Sequence, residues 1–149
     1  MRILMALDES PYAEAVTRMI AAQMKTGDAE VRVLHVVEPY PMKLAEAKGT
    51  RELPDLDAAR AEQRERAKHL LENAATILRS AGFNATWIVQ EGDPRTAILD
   101  DADAWAADLV VVGSHGGGGL QRWLMGSVSE AVARHAACSV QIVRIRGAR

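Results

Sequence analysis

Cysteine occurs once in the 149 residues, at Cys138. No disulfide can therefore form within one copy, and the fold has to stand without covalent staples. A single thiol also agrees with a reducing compartment. Aromatic side chains make up only 4% of the chain. The interior must then be built from Val, Ile, Leu and Ala, a composition suited to helices packed on a parallel sheet. Charge of one sign is not in excess. The formal net charge of -2 supplies no general attraction to nucleic acid or to a membrane surface. The basic residues Arg144, Arg146 and Arg149 are expected to be a solvated tail. No apolar run approaches a membrane span. The segment from Arg2 to Leu7 is too short for a secretory leader and leads directly into acidic residues. The expectation is a cytoplasmic protein with neither a membrane nor a nucleic acid as partner.

Apolar residues at 48% and charged residues at 26% describe an ordinary globular chain, long enough for one domain spanning 1–149. Short apolar runs alternate with helical patterns. Ile3 to Leu7 predicts a strand that ends at Asp8. Ser10-Pro11 predicts an N-cap and a first-turn proline, opening a helix to about Lys25 with Val16, Met19, Ile20 and Met24 on one face. Val31 to Val37 predicts the second strand. Tyr40 to Pro54 is broken by Pro41, Gly49 and Pro54 and is expected to be a surface excursion. Helix is expected over Asp55 to Arg79, strand over Ala85 to Gln90, and helix from the Asp93-Pro94 pair to about Ala106. Leu109 to Val112 predicts a strand, Ser127 to His135 a helix and Val140 to Ile145 a last strand. Strand and helix alternate throughout, so the fold class is α/β, a parallel sheet with helices on both faces and right-handed crossovers.

Ligands of such sheets bind at the carboxyl ends of the strands, where strand order reverses. Two strand ends carry suggestive chemistry here: the first at Asp8, the fourth at Gly113. From Gly113 the chain runs Gly-Ser-His-Gly-Gly-Gly-Gly-Leu-Gln-Arg-Trp-Leu-Met-Gly-Ser-Val-Ser to Ser129. Glycine lets backbone N–H groups approach an anion closely. The helix that follows adds unpaired N–H groups and partial positive charge, with the Ser127 and Ser129 hydroxyls beside them. The alternative is a plain glycine-rich surface loop. Two familiar phosphate motifs do not fit: Ser127 stands where a Walker loop needs lysine, and the first strand ends in Asp-Glu-Ser without the dinucleotide glycines.

The spacing does fit another signature. Two residues separate Gly113 from Gly116, nine separate Gly116 from Gly126, and Ser127 follows. This resembles the G-x2-G-x9-G-[S/T] signature of the ATP-binding branch of the universal stress protein family. The resemblance extends to Ile3 through Ser10, Leu34 to Val37, Gly92-Asp93-Pro94, Asp108 to Gly116 and Ser139 to Val143. It implies an adenine-nucleotide α-hydrolase-like, Rossmann-type sandwich with strand order 3-2-1-4-5. It further implies that the Val36 backbone meets the adenine edge, that Ala6, Leu7 and Asp8 line adenine and ribose, and that Asp8 touches a ribose hydroxyl. Gly113 and Gly116 would lie against ribose and α-phosphate, and Gly126, Ser127, Val128 and Ser129 would hold the outer phosphates. Val112, Ser114 and His115 complete the implied nucleotide-binding set. The ligand would be ATP, ADP or AMP, with Mg²⁺ or Mn²⁺ bridging phosphates and no protein metal site. Ala6-Leu7 departs from the proline or β-branched residue of many relatives, at a place where backbone or apolar contacts are expected.

Nothing in the chain supplies a nucleophile, a paired general base or a metal triad. The expected role is nucleotide binding in a stress-response regulator, with little or no catalysis. A slow ATPase or nucleotidyl-transferring enzyme would depend on His115. A ligand-free interaction protein is the third alternative. His35 is expected to be a satisfied structural histidine, Cys138 a small buried residue, and Trp123 a packing anchor; His69 and His135 have no metal-spaced partner. The resemblance also implies a homodimer through the last strand, where Val143 and Ile145 are expected to leave the sheet edge apolar.

Overall fold

The computed structural model describes residues 1–39, 55–114 and 125–146. Five parallel strands form one sheet: β1 (Arg2–Ala6), β2 (Glu30–Val37), β3 (Asn84–Glu91), β4 (Leu109–Gly113) and β5 (Ser139–Val143). Their order is β3-β2-β1-β4-β5, as the family resemblance implied. Four helices connect them among the described residues: α1 (Ala13–Gln23), α2 (Leu56–Ser80), α3 (Pro94–Ala104) and α4 (Ser127–His135). The excursion expected over Tyr40 to Pro54 lies outside the described residues.

Period-two alternation divides the sheet's side chains between two cores. Ile3, Met5, Val31, Val33, Ala85 and Val111 meet α1 and α2, where Val16, Ile20, Leu71, Ala74, Ala75 and Leu78 are buried. Leu4, Leu34, Val36, Val110 and Val112 meet α3 and α4 through Ile98, Ala102 and Val132. Both faces are covered, which is why the inner strands read as nearly continuous apolar runs. The α2 stripe Ala67, Leu71, Ala74, Ala75, Leu78 has the spacing of one helix face, and the charged residues between Arg60 and Lys68 stay exposed. Gly82, at a φ of +95°, lets the chain leave α2 and enter β3.

Two expectations change. The first helix starts at Ala13, with Tyr12 at its N-cap and no side-chain cap, and ends at Gln23. Ser10 and Pro11 build a turn ahead of it. The Ser10 N–H donates to Asp8 Oδ1 at 3.0 Å, and the Tyr12 N–H donates to Ser10 Oγ at 3.4 Å. Asp and Ser favour such side-chain-to-backbone turns as readily as caps. The second change concerns β5. Val143 is only 4% exposed and belongs to the core under α1 and α2. Ile145 lies beyond the strand, partly buried against the same core. Neither side chain makes the sheet edge apolar; what β5 presents laterally is backbone.

The Asp93-Pro94 pair behaves as its sequence indicates. Pro94 opens α3, and Asp93 Oδ1 accepts from the N–H groups of Arg95 and Thr96. The Arg95 guanidinium hydrogen bond, then the Thr96 N–H, hold this carboxyl down to about 2 from an ordinary 3.8. Because the folded value is depressed, the associated stabilisation is complete above the ordinary value and disappears as pH falls from there through about 2. A carbon-detected NMR titration is expected to find the Asp93 midpoint near 2 and, in Arg95→Ala, a return toward the ordinary value. A midpoint unmoved by Arg95→Ala would contradict the guanidinium as its main cause.

Candidate functional site

β1 lies between β2 and β4, and its last residue, Ala6, pairs with Leu34 on one side and Val112 on the other. The Leu7 N–H adds a final rung to the Leu34 carbonyl at 2.9 Å. The central strand stops there, whereas β2 continues to Val37 and β4 to Gly113. A notch results at the carboxyl edge, at the point where strand order reverses. Ala6 and the buried Leu7 lie at its base, and the half-buried Asp8 leads the chain out. Asp8 is engaged locally through the Ser10 N–H, an arrangement that leaves its second carboxylate oxygen available.

Val36 stands on the β2 side of the notch, with its side chain buried against the α3/α4 core. Its backbone faces the other way. The Leu34 carbonyl points at β1, and groups two residues apart on a strand share an edge. The Val36 peptide groups therefore point toward the space that β1 vacates. The Val37 carbonyl faces β3, where it accepts from the Gly92 N–H at 3.1 Å.

On the β4 side, two hydrogen bonds clasp the residues that flank the glycine-rich segment. The Ser114 carbonyl accepts from the Gly126 N–H at 2.9 Å and from Ser129 Oγ at 3.2 Å. Ser129 Oγ also lies 3.0 Å from the Gly126 carbonyl, so its one proton is shared between two acceptors. The Ser114 N–H donates to the Val143 carbonyl at 2.9 Å, anchoring the clasp to β5. The start of α4 is thereby held beside the end of β4. Gly126 is its N-cap and provides no side-chain cap. The first-turn N–H groups of 127–129 have no intrahelical acceptor and carry the positive end of the helix dipole. The N-terminus of α3, at the same edge of the sheet, is by contrast filled by the Asp93 carboxylate.

The sequence-derived residues thus separate into three groups. Ala6, Leu7, Asp8, Val36, Val112, Gly113, Ser114, Gly126, Ser127 and Val128 cluster around the ends of β1 and β4. Ser129 is close by, but its hydroxyl, 2% exposed as a residue, is turned inward as part of the clasp and only its backbone faces the helix start. His115, Gly116 and Trp123 lie outside the described residues. Among the described residues no group of His, Cys, Asp and Glu is arranged to hold a metal ion, and no helix is long and apolar enough to cross a membrane. Burial pushes the Cys138 thiol up, away from reactivity.

His35 is satisfied, as its sequence setting led us to expect: 8% exposed, it sets Nδ1 at 2.7 Å from the Leu7 carbonyl. The identity of that partner, and a second polar cluster, escaped sequence reasoning. Under the sheet, Asp101 receives Arg32 Nη1 at 3.1 and 3.2 Å and Gln90 Nε2 at 3.2 Å. The Arg32 guanidinium also lies 4.4 Å from the centre of the Trp105 ring. A strand arginine in an apolar run was the available signal, since such a charge needs a partner.

A five-stranded 3-2-1-4-5 sheet with a notch at its reversal point is an adenine-nucleotide α-hydrolase-like fold. The chain belongs to the universal stress protein family, whose model matches residues 1–144. It is 31% identical over 145 residues to the universal stress protein YxiE of Bacillus subtilis, covering 96% of this chain and 98% of that one. Among solved structures, the hypothetical protein MJ0577 superposes with a TM-score of 0.82 at 28% identity, covering 99% of this chain and 97% of its own. A universal stress protein from Archaeoglobus fulgidus in complex with dAMP superposes with a TM-score of 0.66 at 27% identity, over 95% of this chain and 96% of its own.

Proposed function

We propose that residues 1–149 act as one unit that binds an adenine nucleotide (ATP, or ADP or AMP) and serves as a regulatory module with little or no turnover. The observation that carries this reading is the uncapped N-terminus of α4, clasped through Ser114 beside the notch where β1 ends. An anion is favoured at the helix start, and the base with its ribose would sit in the notch above Ala6 and Leu7. The Val36 peptide would meet the adenine edge and Asp8 a ribose hydroxyl. Gly113 and Ser114, with His115 and Gly116 beyond the described residues, would pass along ribose and α-phosphate. The backbone of 126–129 would take the outer phosphates, and Mg²⁺ or Mn²⁺ would arrive on the nucleotide. The dAMP complex of the Archaeoglobus fulgidus relative supports the ligand class.

The test is calorimetry on ligand-stripped, folded protein with Mg-ATP, Mg-ADP and AMP, alongside mass spectrometry of any nucleotide released on denaturation. Saturable binding of at least one is expected; no heat from all three overturns the reading. The open backbone edge of β5 is where a second copy would pair, completing a homodimer. Sedimentation velocity should find the dimer, and a monomer at every concentration would overturn that assignment.

A further inference from the structure

The β1–β2 ladder stops at a place where a side chain meets the backbone. In a parallel ladder the rung after Leu7 N–H to Leu34 carbonyl would bring the Val36 N–H to the Leu7 carbonyl. The strand register ends instead at Ala6 and Leu34, and the Leu7 carbonyl lies 2.7 Å from His35 Nδ1. A carbonyl only accepts, so Nδ1 carries the proton. The ring is buried, which holds it in one orientation.

We propose that His35 is a positioning residue for base recognition. Its Nδ1–H takes the Leu7 carbonyl in place of the Val36 N–H. That keeps the Val36 peptide directed at the notch, ready for the adenine edge, and fixes the turn that carries Asp8 to the ribose. The inference rests on the nucleotide reading above and deepens it: His35 touches no ligand, yet it sets the selectivity for adenine over guanine.

The experiment compares the parent with His35→Leu, which keeps apolar volume, and His35→Asn, whose amide N–H can reach the place of Nδ1. Each is titrated with ATP, GTP and inorganic tripolyphosphate. His35→Leu is expected to weaken ATP about 10-fold or more, the consequence of one unmet buried hydrogen bond. It should also shrink the preference for ATP over GTP while leaving tripolyphosphate affinity as in the parent. His35→Asn should recover most of both losses. An undiminished ATP preference in His35→Leu, a proportional loss of tripolyphosphate, or no recovery in His35→Asn would each overturn the proposal. A parent that binds no nucleotide would defeat the underlying reading and this inference with it, whereas a binding parent with an indifferent His35→Leu strikes His35 alone. If His35→Leu fails to fold, long-range ¹⁵N correlation on the parent decides through the tautomer: a protonated Nδ1 supports the clamp, and an unprotonated one overturns it.

Discussion

Gly126→Asp should leave the protein folded, at least as stable as the parent, and nearly unable to hold a nucleotide. Gly126 sits at the N-cap of α4 with φ −62° and ψ 153°, a conformation open to any L residue. Aspartate is among the best N-cap residues, and its carboxylate would accept from the first-turn N–H groups that now lack a side-chain partner. Helix stability should therefore rise, if only by about a few tenths of a kcal/mol. Those same N–H groups are the ones proposed to take the outer phosphates. A fixed negative charge some 4 Å from a phosphate costs about 4 kcal/mol at an effective dielectric of 20. An affinity loss of about 100-fold or more is expected for ATP, with a much smaller loss for a ligand lacking the outer phosphates. Thermal melting and calorimetry together check this. A variant that binds ATP as the parent does would remove α4 from the site. A variant that loses both stability and binding would show only a damaged fold.

Asp101→Leu is expected to be the most damaging single change to stability outside the apolar core. The Asp101 side chain is 8% exposed and receives both Arg32 and Gln90. Its removal leaves the Arg32 guanidinium, 26% exposed, without a counter-charge against the Trp105 ring. Breaking one side of a buried pair costs more than the pair contributes, because the remaining charge stays desolvated. Arg32 keeps some access to water, so about 2–4 kcal/mol is expected. For a chain of this size that lowers Tm by about 5–15 °C. Replacing Arg32 by methionine in the same chain should recover most of the loss, since an apolar pair of similar volume carries no desolvation debt. A double-mutant cycle by urea denaturation measures the coupling. A loss no smaller in the double variant than in Asp101→Leu would mean that the two residues act independently.

The order of strands and helices was legible along the chain because each element carries its own period. The α2 stripe from Ala67 to Leu78 and the apolar runs of β2 and β4 report which side faces the core, whatever they pack against. The glycine spacing between Gly113 and Gly126 was legible as a feature of the sequence, and the Asp93-Pro94 helix start was legible from capping chemistry. Ser10-Pro11 misled because the same residue types serve a turn as well as a cap, and only the position of the first helical hydrogen bond distinguishes them. Val143 misled because an edge strand in a two-faced sheet still sends alternate side chains into its own core.

Element type, the two apolar faces and the place of the glycine-rich segment in the chain are thus local properties, set by residues within a few positions of one another. Strand register is set between distant segments, and the capture of the Leu7 carbonyl by His35, the inward turn of the Ser129 hydroxyl and the Arg32–Asp101 pair join residues 28, 15 and 69 positions apart. No periodicity encodes such partners. They exist because packing two helical layers on one twisted sheet brings distant polar groups together where water is excluded, and each must then find a partner or carry the cost of burial.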